Sequence, residues 1–175
     1  GYSLVRNVVS HCGADWNDAA PFSVDENRIE RFSEGDVTLG EIFLNPTRIY
    51  CDPVVDLIQD GPCASSAIHA ICHVTGGGLS NLLRLHDSLG WHISDPLPVL
   101  PEFDWIQKNG NVDDREMYRT FNMGCGMIIA VEAKFAQTIV SWLQKRSPGS
   151  EIIGHVRNHG RIVTHAIESV YFDEY

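Results

Sequence analysis

His69-Ala70-Ile71-Cys72-His73-Val74-Thr75-Gly76-Gly77-Gly78-Leu79-Ser80-Asn81-Leu82-Leu83-Arg84-Leu85 reads as a buried strand, a glycine turn and the start of a helix. The strand spans 67–75, being short, apolar and stopped by glycine. Three consecutive glycines let the backbone take positive φ and let a ligand approach where no Cβ stands. A helix opening after such a turn presents free N–H groups and the positive end of its dipole, which suits a phosphate or carboxylate. The strand assignment also decides a metal question. On a helix, His69 and His73 would share a face and could bind one ion. On a strand they lie roughly 13 Å apart at ~3.3 Å per residue, so no metal site is expected. His69 then reads as a structural histidine, and His73, beside the turn, as the functional candidate.

Two specific phosphate motifs fail here. Gly76-Gly77-Gly78-Leu79-Ser80-Asn81 ends in Asn81 where the dinucleotide fingerprint wants a third small residue, and no lysine follows to complete a P-loop. The expectation is a phosphate cradle of another kind. It would be built on the amides of Gly76, Gly77 and Gly78, with the hydroxyls of Thr75 or Ser80 assisting.

Composition bounds the class. The chain has 175 residues, 43% of them hydrophobic, which suits one folded domain with a sizeable core. No run of eighteen apolar residues occurs, so no membrane span is expected. A net charge of −10, from 23 acids against 13 Lys and Arg, argues against nucleic-acid binding. It leaves room for a phosphorylated small molecule held by a few amides and one Arg. Five cysteines (Cys12, Cys51, Cys63, Cys72 and Cys125) are scattered without a C-x-x-C pair. They read mostly as small core residues in a reducing compartment, with the cytoplasm as the default. Leu4, Val5, Val8 and Val9 fall at helical spacing at once and no initiator Met precedes them, so the chain reads as a piece of a longer protein.

Taken in order, residues 3–11 read as a helix, 13–37 as a loop with a short helix around Asp25–Arg31, and a helix follows Thr38, which forms a capping box with Glu41. Residues 47–51 read as a strand and Val54 to Gln59 as a helix. After the glycine turn, the helix continues over Asn81–Asp87. Residues 90–94 suggest a strand, 102–108 and 115–121 two helices, 126–132 an apolar strand, and 134–145 an amphipathic helix. Two closing strands, 152–156 and 162–167, are joined by Asn158-His159-Gly160, which suits a hairpin. His155 and His165 read as solvated. At the junction after the helix over 115–121, Arg119, Thr120 and Asn122 crowd polar groups together. Arg119 could fork onto a phosphate, and Asn122 could bond a ligand amide or hydroxyl.

These motifs together resemble the C-terminal half of the aminoimidazole ribonucleotide synthetase (phosphoribosylformylglycinamidine cyclo-ligase) family. The matching strings are Gly1-Tyr2-Ser3-Leu4-Val5-Arg6, Thr38-Leu39-Gly40-Glu41, Pro46-Thr47-Arg48-Ile49-Tyr50, His73-Val74-Thr75-Gly76-Gly77-Gly78-Leu79 and Met117-Tyr118-Arg119-Thr120-Phe121-Asn122-Met123-Gly124, with Gly126-Met127. They occur in family order over most of positions 1–131, and the stretch from Ser147 looks like the family's closing strands. Cys125 departs from the pattern, standing where the family commonly has an aliphatic residue. The N-terminal domain, with the His-Ser-Asn that would precede Gly1, is also missing from the sequence.

The resemblance implies an α+β fold, a three-layer α/β/α unit with a mixed β-sheet, over residues 1–175. It implies the ATP-dependent closure of formylglycinamidine ribonucleotide to the imidazole ring in purine biosynthesis. ATP and Mg²⁺ would act in the complete two-domain enzyme, a homodimer whose N-terminal domain supplies much of the ATP site. On this reading His73 manages a proton, Arg119 and Asn122 orient the reacting groups, and Thr75, Gly76, Gly77, Gly78, Ser80, Arg48 and Thr120 bind substrate or phosphate. The fragment alone should not turn over. The rival reading is a free-standing, non-catalytic domain that binds a phosphorylated metabolite.

Overall fold

Strand β1 (Ile68–His73) lies antiparallel to β3 (Met127–Val131), with Ile71 opposite Ile129, Cys72 opposite Ile128 and His73 opposite Met127. The structure, a computed structural model, describes residues 1–32 and 34–175. Backbone bonds extend the pairing at both ends, from Val74 N–H to the Gly126 carbonyl and from Glu132 N–H to the Ala67 carbonyl, both 2.9 Å. The two apolar segments read from the sequence as strands are therefore neighbours, in a two-stranded sheet of their own. β-branched Ile and Val residues suit this pleated, half-buried pair.

The other strands form a second, four-stranded sheet in the order β4 (His155–Arg157), β2 (Gly90–Ile93), β5 (Ile162–His165), β6 (Tyr171–Phe172). β2 runs parallel to β5 and antiparallel to β4, and β6 closes the edge antiparallel to β5. The class is thus α+β with a mixed sheet, as expected. The closing strands do not form the expected hairpin, however. β2 lies between them, because Trp91 and Ile93 are buried and take the central place, packing in one cluster with Val163 and Phe172. The turn Asn158-His159-Gly160 therefore spans a strand rather than a two-strand gap.

Helix α1 (Tyr2–His11) buries Val5, Val8 and Val9, and packs on α4 (Pro101–Gly110). The two helices come close at Gly110, where a Cβ would lie 2.8 Å from Val8 Cγ2. α2 (Leu39–Leu44) carries the complete capping box: Glu41 N–H donates to Thr38 Oγ1 (3.2 Å), and Thr38 N–H donates to Glu41 Oε2 (3.0 Å). α5 (Asp114–Thr120) is capped by Asp113, which accepts from Glu116 N–H at 2.8 Å. α6 (Ala136–Leu143) buries Ile139 and Val140. Within the 13–37 loop a short 3₁₀ turn, Glu26–Arg28, forms where a helix was expected, and Ser33 lies outside the described residues.

Four further expectations are overturned. Residues 45–50 form no strand, and α3 (Cys51–Asp60) already begins at Cys51. Pro46 lacks an N–H and Ile49 is 73% exposed, so no neighbouring strand rewards the apolar alternation. Past the glycine turn the chain makes a 3₁₀ helix, Gly78–Arg84, instead of an α-helix over 81–87. Most cysteines are not core residues: Cys72 is buried, but Cys12 and Cys51 are exposed. His165, expected on a solvated face, is only 5% exposed, while His69, read as a structural histidine, is exposed. β5 faces the core with alternate residues, and His165 shares that face with Val163.

Among the described residues no helix is long and apolar enough to cross a membrane.

Candidate functional site

The corner at the end of β1 is a type II turn. Gly78 N–H closes it on the Thr75 carbonyl (2.9 Å), and Gly77 takes φ 101°, ψ −13° at its third position. That conformation needs φ > 0, which only glycine adopts without strain. The turn's carbonyls are then gathered inward. Ser80 Oγ donates to the Gly77 carbonyl at 2.7 Å, and Asn81 Nδ2 donates to the carbonyls of Gly76 (3.2 Å) and Gly78 (2.7 Å). Asn81 and Ser80 are buried. In a trans peptide the N–H points opposite to the preceding C=O. With the Gly76 carbonyl on Asn81, the Gly77 N–H therefore faces away from Asn81. Gly78 spends its own N–H inside the turn.

This geometry also explains the 3₁₀ helix. Ser80 and Asn81 side chains compete for turn carbonyls, as Ser and Asn do near helix starts, and Gly78 enters at φ 53°. With three residues per turn, Gly78, Asn81 and Arg84 fall along one edge. Arg84 Nη2 donates to Asn81 Oδ1. Leu79, Leu82 and Leu83 take the buried sides.

A cleft of about 330 Å³ opens at this corner, lined by Ile71, Cys72, His73, Thr75, Asn81, Arg84 and Leu85. His73 is exposed on its rim, with the Tyr50 ring 5.6 Å away at an edge angle of 62°. Tyr50 fits there because position 126 is glycine: any Cβ would run into the Tyr50 hydroxyl. Burial pushes the Tyr50 hydroxyl pKa above its ordinary value, against the opposing pull of the Arg48 charge.

The other side of the turn is packed under α5. A Cβ on Gly78 would collide with the Tyr118 carbonyl and come 2.8 Å from that of Phe121. The junction residues thus abut the turn without entering the main cleft. Arg119 is exposed near the end of α5, and Thr120 Oγ1 donates to Glu116 Oε1 at 2.7 Å. Asn122 Oδ1 accepts from Gly124 N–H at 3.0 Å, in a bend carried by positive φ at Met123 and Gly124. Asn122 lines a second, much smaller cavity together with Tyr118, Cys125 and His165. Arg48 donates instead to Ser147 Oγ (3.2 Å) and the Pro148 carbonyl (3.0 Å), away from the cleft lining.

The structure therefore brings His73 and Thr75 together in the cleft beside the glycine turn, whose Gly76, Gly77 and Gly78, like Ser80, are not among its lining residues. It puts Arg119, Thr120 and Asn122 behind that turn, and leaves Arg48 outside the cleft lining. Arg84 is the cleft residue that reading the sequence missed. Its signal was the three-residue spacing of polar Asn81 and Arg84 through an otherwise leucine-rich segment. Among the described residues no group of three or more His, Cys, Asp or Glu side chains could hold a metal ion.

Comparison with known proteins agrees with this architecture. The family model described as AIR synthase related protein, C-terminal domain, matches residues 2–167. Phosphoribosylformylglycinamidine cyclo-ligase of Methanopyrus kandleri is 40% identical over 128 residues, covering 73% of this chain and 35% of that protein. The proteins of the same name from Nitrosococcus oceani and Crocosphaera subtropica are 36% and 38% identical over 159 residues, covering 89% of this chain and 39% and 42% of theirs. The chain spans about two-fifths of the length of these relatives. It belongs to the AIR synthase related protein family, as a representative of that family's C-terminal domain.

Proposed function

We propose that residues 1–175 are the substrate-binding half of an ATP-dependent cyclo-ligase that closes formylglycinamidine ribonucleotide to aminoimidazole ribonucleotide in purine biosynthesis. The observation that carries this is the inward gathering of the turn carbonyls by Ser80 and Asn81. On this reading the amides of Gly76 and Gly77, with the Thr75 hydroxyl, face an anion beside His73.

In this reading Gly76, Gly77 and Thr75 hold a phosphate oxygen, while Gly78 and Ser80 keep the turn in shape. His73 accepts or returns a proton during ring closure, a task suited to a side chain type that titrates near neutrality. Arg119, Thr120 and Asn122 orient the ribonucleotide from behind the turn. Arg48, fastened to the 147–148 segment, would reach the ligand only outside the cleft lining. When bound, ATP supplies the phosphoryl group that turns the formyl oxygen into a leaving group. Any Mg²⁺ of the reaction would be held largely by phosphate oxygens, water and one or two carboxylates of the complete enzyme. The complete enzyme joins this half to an N-terminal domain and works as a homodimer in the cytoplasm.

Gly76→Val is the direct test. Gly76 has φ outside the left-handed region, and no atom lies within 4 Å of the point where its Cβ would stand, so the variant should fold. Gly77→Val would not serve, because φ 101° and Asn81 Nδ2 at 2.9 Å from its Cβ would strain the turn itself. We expect phosphate and ribose 5-phosphate, titrated against ¹⁵N-labelled protein, to bind Gly76→Val at least about tenfold more weakly, the cost of one lost charge-assisted contact. Equal affinity in a folded variant would overturn the cradle. In the two-domain enzyme, His73→Ala should lower the rate by ~10²–10⁴-fold. A folded variant within about threefold of the parent, far short of that range, would make His73 a surface residue. Phosphate binding without any effect of His73 on turnover would favour the non-catalytic reading.

A further inference from the structure

Arg84 is held on two sides. Its Nη2 donates to Asn81 Oδ1, and Asn81 is itself completely buried and bonded to the Gly76 and Gly78 carbonyls. Its guanidinium carbon lies 4.7 Å from the centre of the Tyr175 ring. Tyr175 also touches the turn, since a Cβ on Gly77 would sit 3.4 Å from Tyr175 Cε2. The ring is brought there by a short tether: Phe172, three residues before, is fully buried in β6.

A guanidinium stacked on a ring covers its π face and keeps its in-plane N–H donors. Of five such donors, one is on Asn81. Arg84 itself lines the cleft, alongside His73 and Thr75. The Arg84 charge reaches the cleft wall: burial raises the Cys72 thiol pKa, and Arg84 pulls it the other way. Elsewhere the surface is acidic, at net −10, so an anion needs a fixed local cation. A free Arg would lose rotamer freedom on gripping one. Here that freedom has already been restricted by Asn81 and Tyr175.

We propose that Arg84 is the cation of the cleft, forking onto the phosphate monoester of the ligand, and that Tyr175 is the positioning residue that presents it. This rests on the reading of the cleft as an anion site. The glycine amides and the guanidinium then act as one unit, because Asn81 ties the turn carbonyls and Arg84 to the same side chain.

The test is titration of the 175-residue chain with inorganic phosphate and with ribose 5-phosphate. Amide and arginine Nε–H shifts are followed, and thermal midpoints serve as the fold check. Arg84→Gln should weaken binding roughly ten- to a hundredfold, the range for a charge-assisted bond. Tyr175→Leu should weaken it by about two- to fivefold, the worth of an exposed cation–π contact. Tyr175→Phe, which keeps the ring, should restore the parent affinity. A purely structural tyrosine would move the thermal midpoint in Tyr175→Leu without this loss and rescue of affinity. Parent-like binding by Arg84→Gln, with loss in Gly76→Val, would overturn the role of Arg84 and leave the glycine cradle standing. Equal affinities for Tyr175→Leu and Tyr175→Phe would overturn the presenting role. Parent-like binding in both Arg84→Gln and Gly76→Val, or no saturable binding by the parent, would overturn the cleft reading and this inference together.

Discussion

Arg28 and Glu102 grip each other with two parallel hydrogen bonds, Nη1 to Oε1 at 2.9 Å and Nη2 to Oε2 at 2.6 Å. Glu102 is only 7% exposed, at the start of α4, while Arg28 rides on the 13–37 loop. The pair therefore fastens that loop to the body of the domain. Removing one partner of a buried pair costs about 3–5 kcal/mol. Arg28 keeps partial access to water, so Glu102→Ala should cost about 1–3 kcal/mol. Urea unfolding should show this, and limited proteolysis should find faster cleavage within 13–37. An unchanged midpoint would mean that Ile29, Val37 and Ile42 suffice to hold the loop.

Two neighbouring glycines should answer differently to the same methyl. Gly78→Ala forces φ 53° on alanine and drives Cβ into the Tyr118 carbonyl. It should cost about 2 kcal/mol or more, in the upper range for single substitutions. Gly76→Ala meets nothing within 4 Å and should stay within about 0.5 kcal/mol of the parent. Equal thermal midpoints for the two variants would contradict the packing of α5 on the turn.

His165 should make the fold acid-sensitive. Burial, and secondarily the His92 charge, lowers its pKa from the ordinary histidine value, against an opposing pull from Asp114. Its Nδ1 accepts from Ile167 N–H at 3.0 Å, so the neutral ring carries its proton on Nε2. The unfolded chain then binds a proton that the folded chain refuses. This part of the stability is fully present above the unfolded pKa of about 6.5 and is lost as pH falls through the lower folded value. His165→Leu should flatten the difference between unfolding midpoints at about pH 7.5, above the unfolded pKa, and at about pH 5, below it. An equally steep profile in that variant would assign the acid sensitivity to His92, whose pKa is also lowered, mainly by burial.

Thiol reactivity should sort by burial. Cys125 is pushed up to about 11 by burial, so only about a thousandth of it is thiolate at about pH 8. A disulfide reagent at that pH should modify exposed Cys12 and Cys51 first, half-buried Cys63 more slowly, and Cys72 and Cys125 only after denaturation. Rapid modification of Cys125 in the native protein would show that the bend at Asn122–Gly126 opens.

The β1–turn–β3 unit was readable because it rests on local signals: short apolar runs stopped by glycine, in segments that find each other. The capping box at Thr38 and Glu41 was equally local, and formed as read. What escaped depended on contacts that one chain segment cannot announce. The apolar alternation at Thr47–Tyr50 suits a strand, but no partner strand lies beside it. The closing strands looked like a hairpin because nothing near Asn158 says that Gly90–Ile93 will slide between them. In the site, His73 and Thr75 were legible from their nearness to the glycines. Arg84 was not, because its position depends on a 3₁₀ helix that Ser80 and Asn81 impose through the turn carbonyls.

The central place of β2 has a consequence on the ribosome. His92 meets Thr164 across the sheet, seventy-two residues later in the chain. At ordinary elongation rates β2 is synthesised roughly 4–14 s before β5 exists. Until His155–Arg157 is made, Trp91 and Ile93 belong to a strand with neither edge paired, and one edge stays open until β5 follows, a form that invites association with other nascent chains. Newly made domain should thus depend on a holding chaperone until Ile162–His165 emerges, while β1 and β3 are already paired.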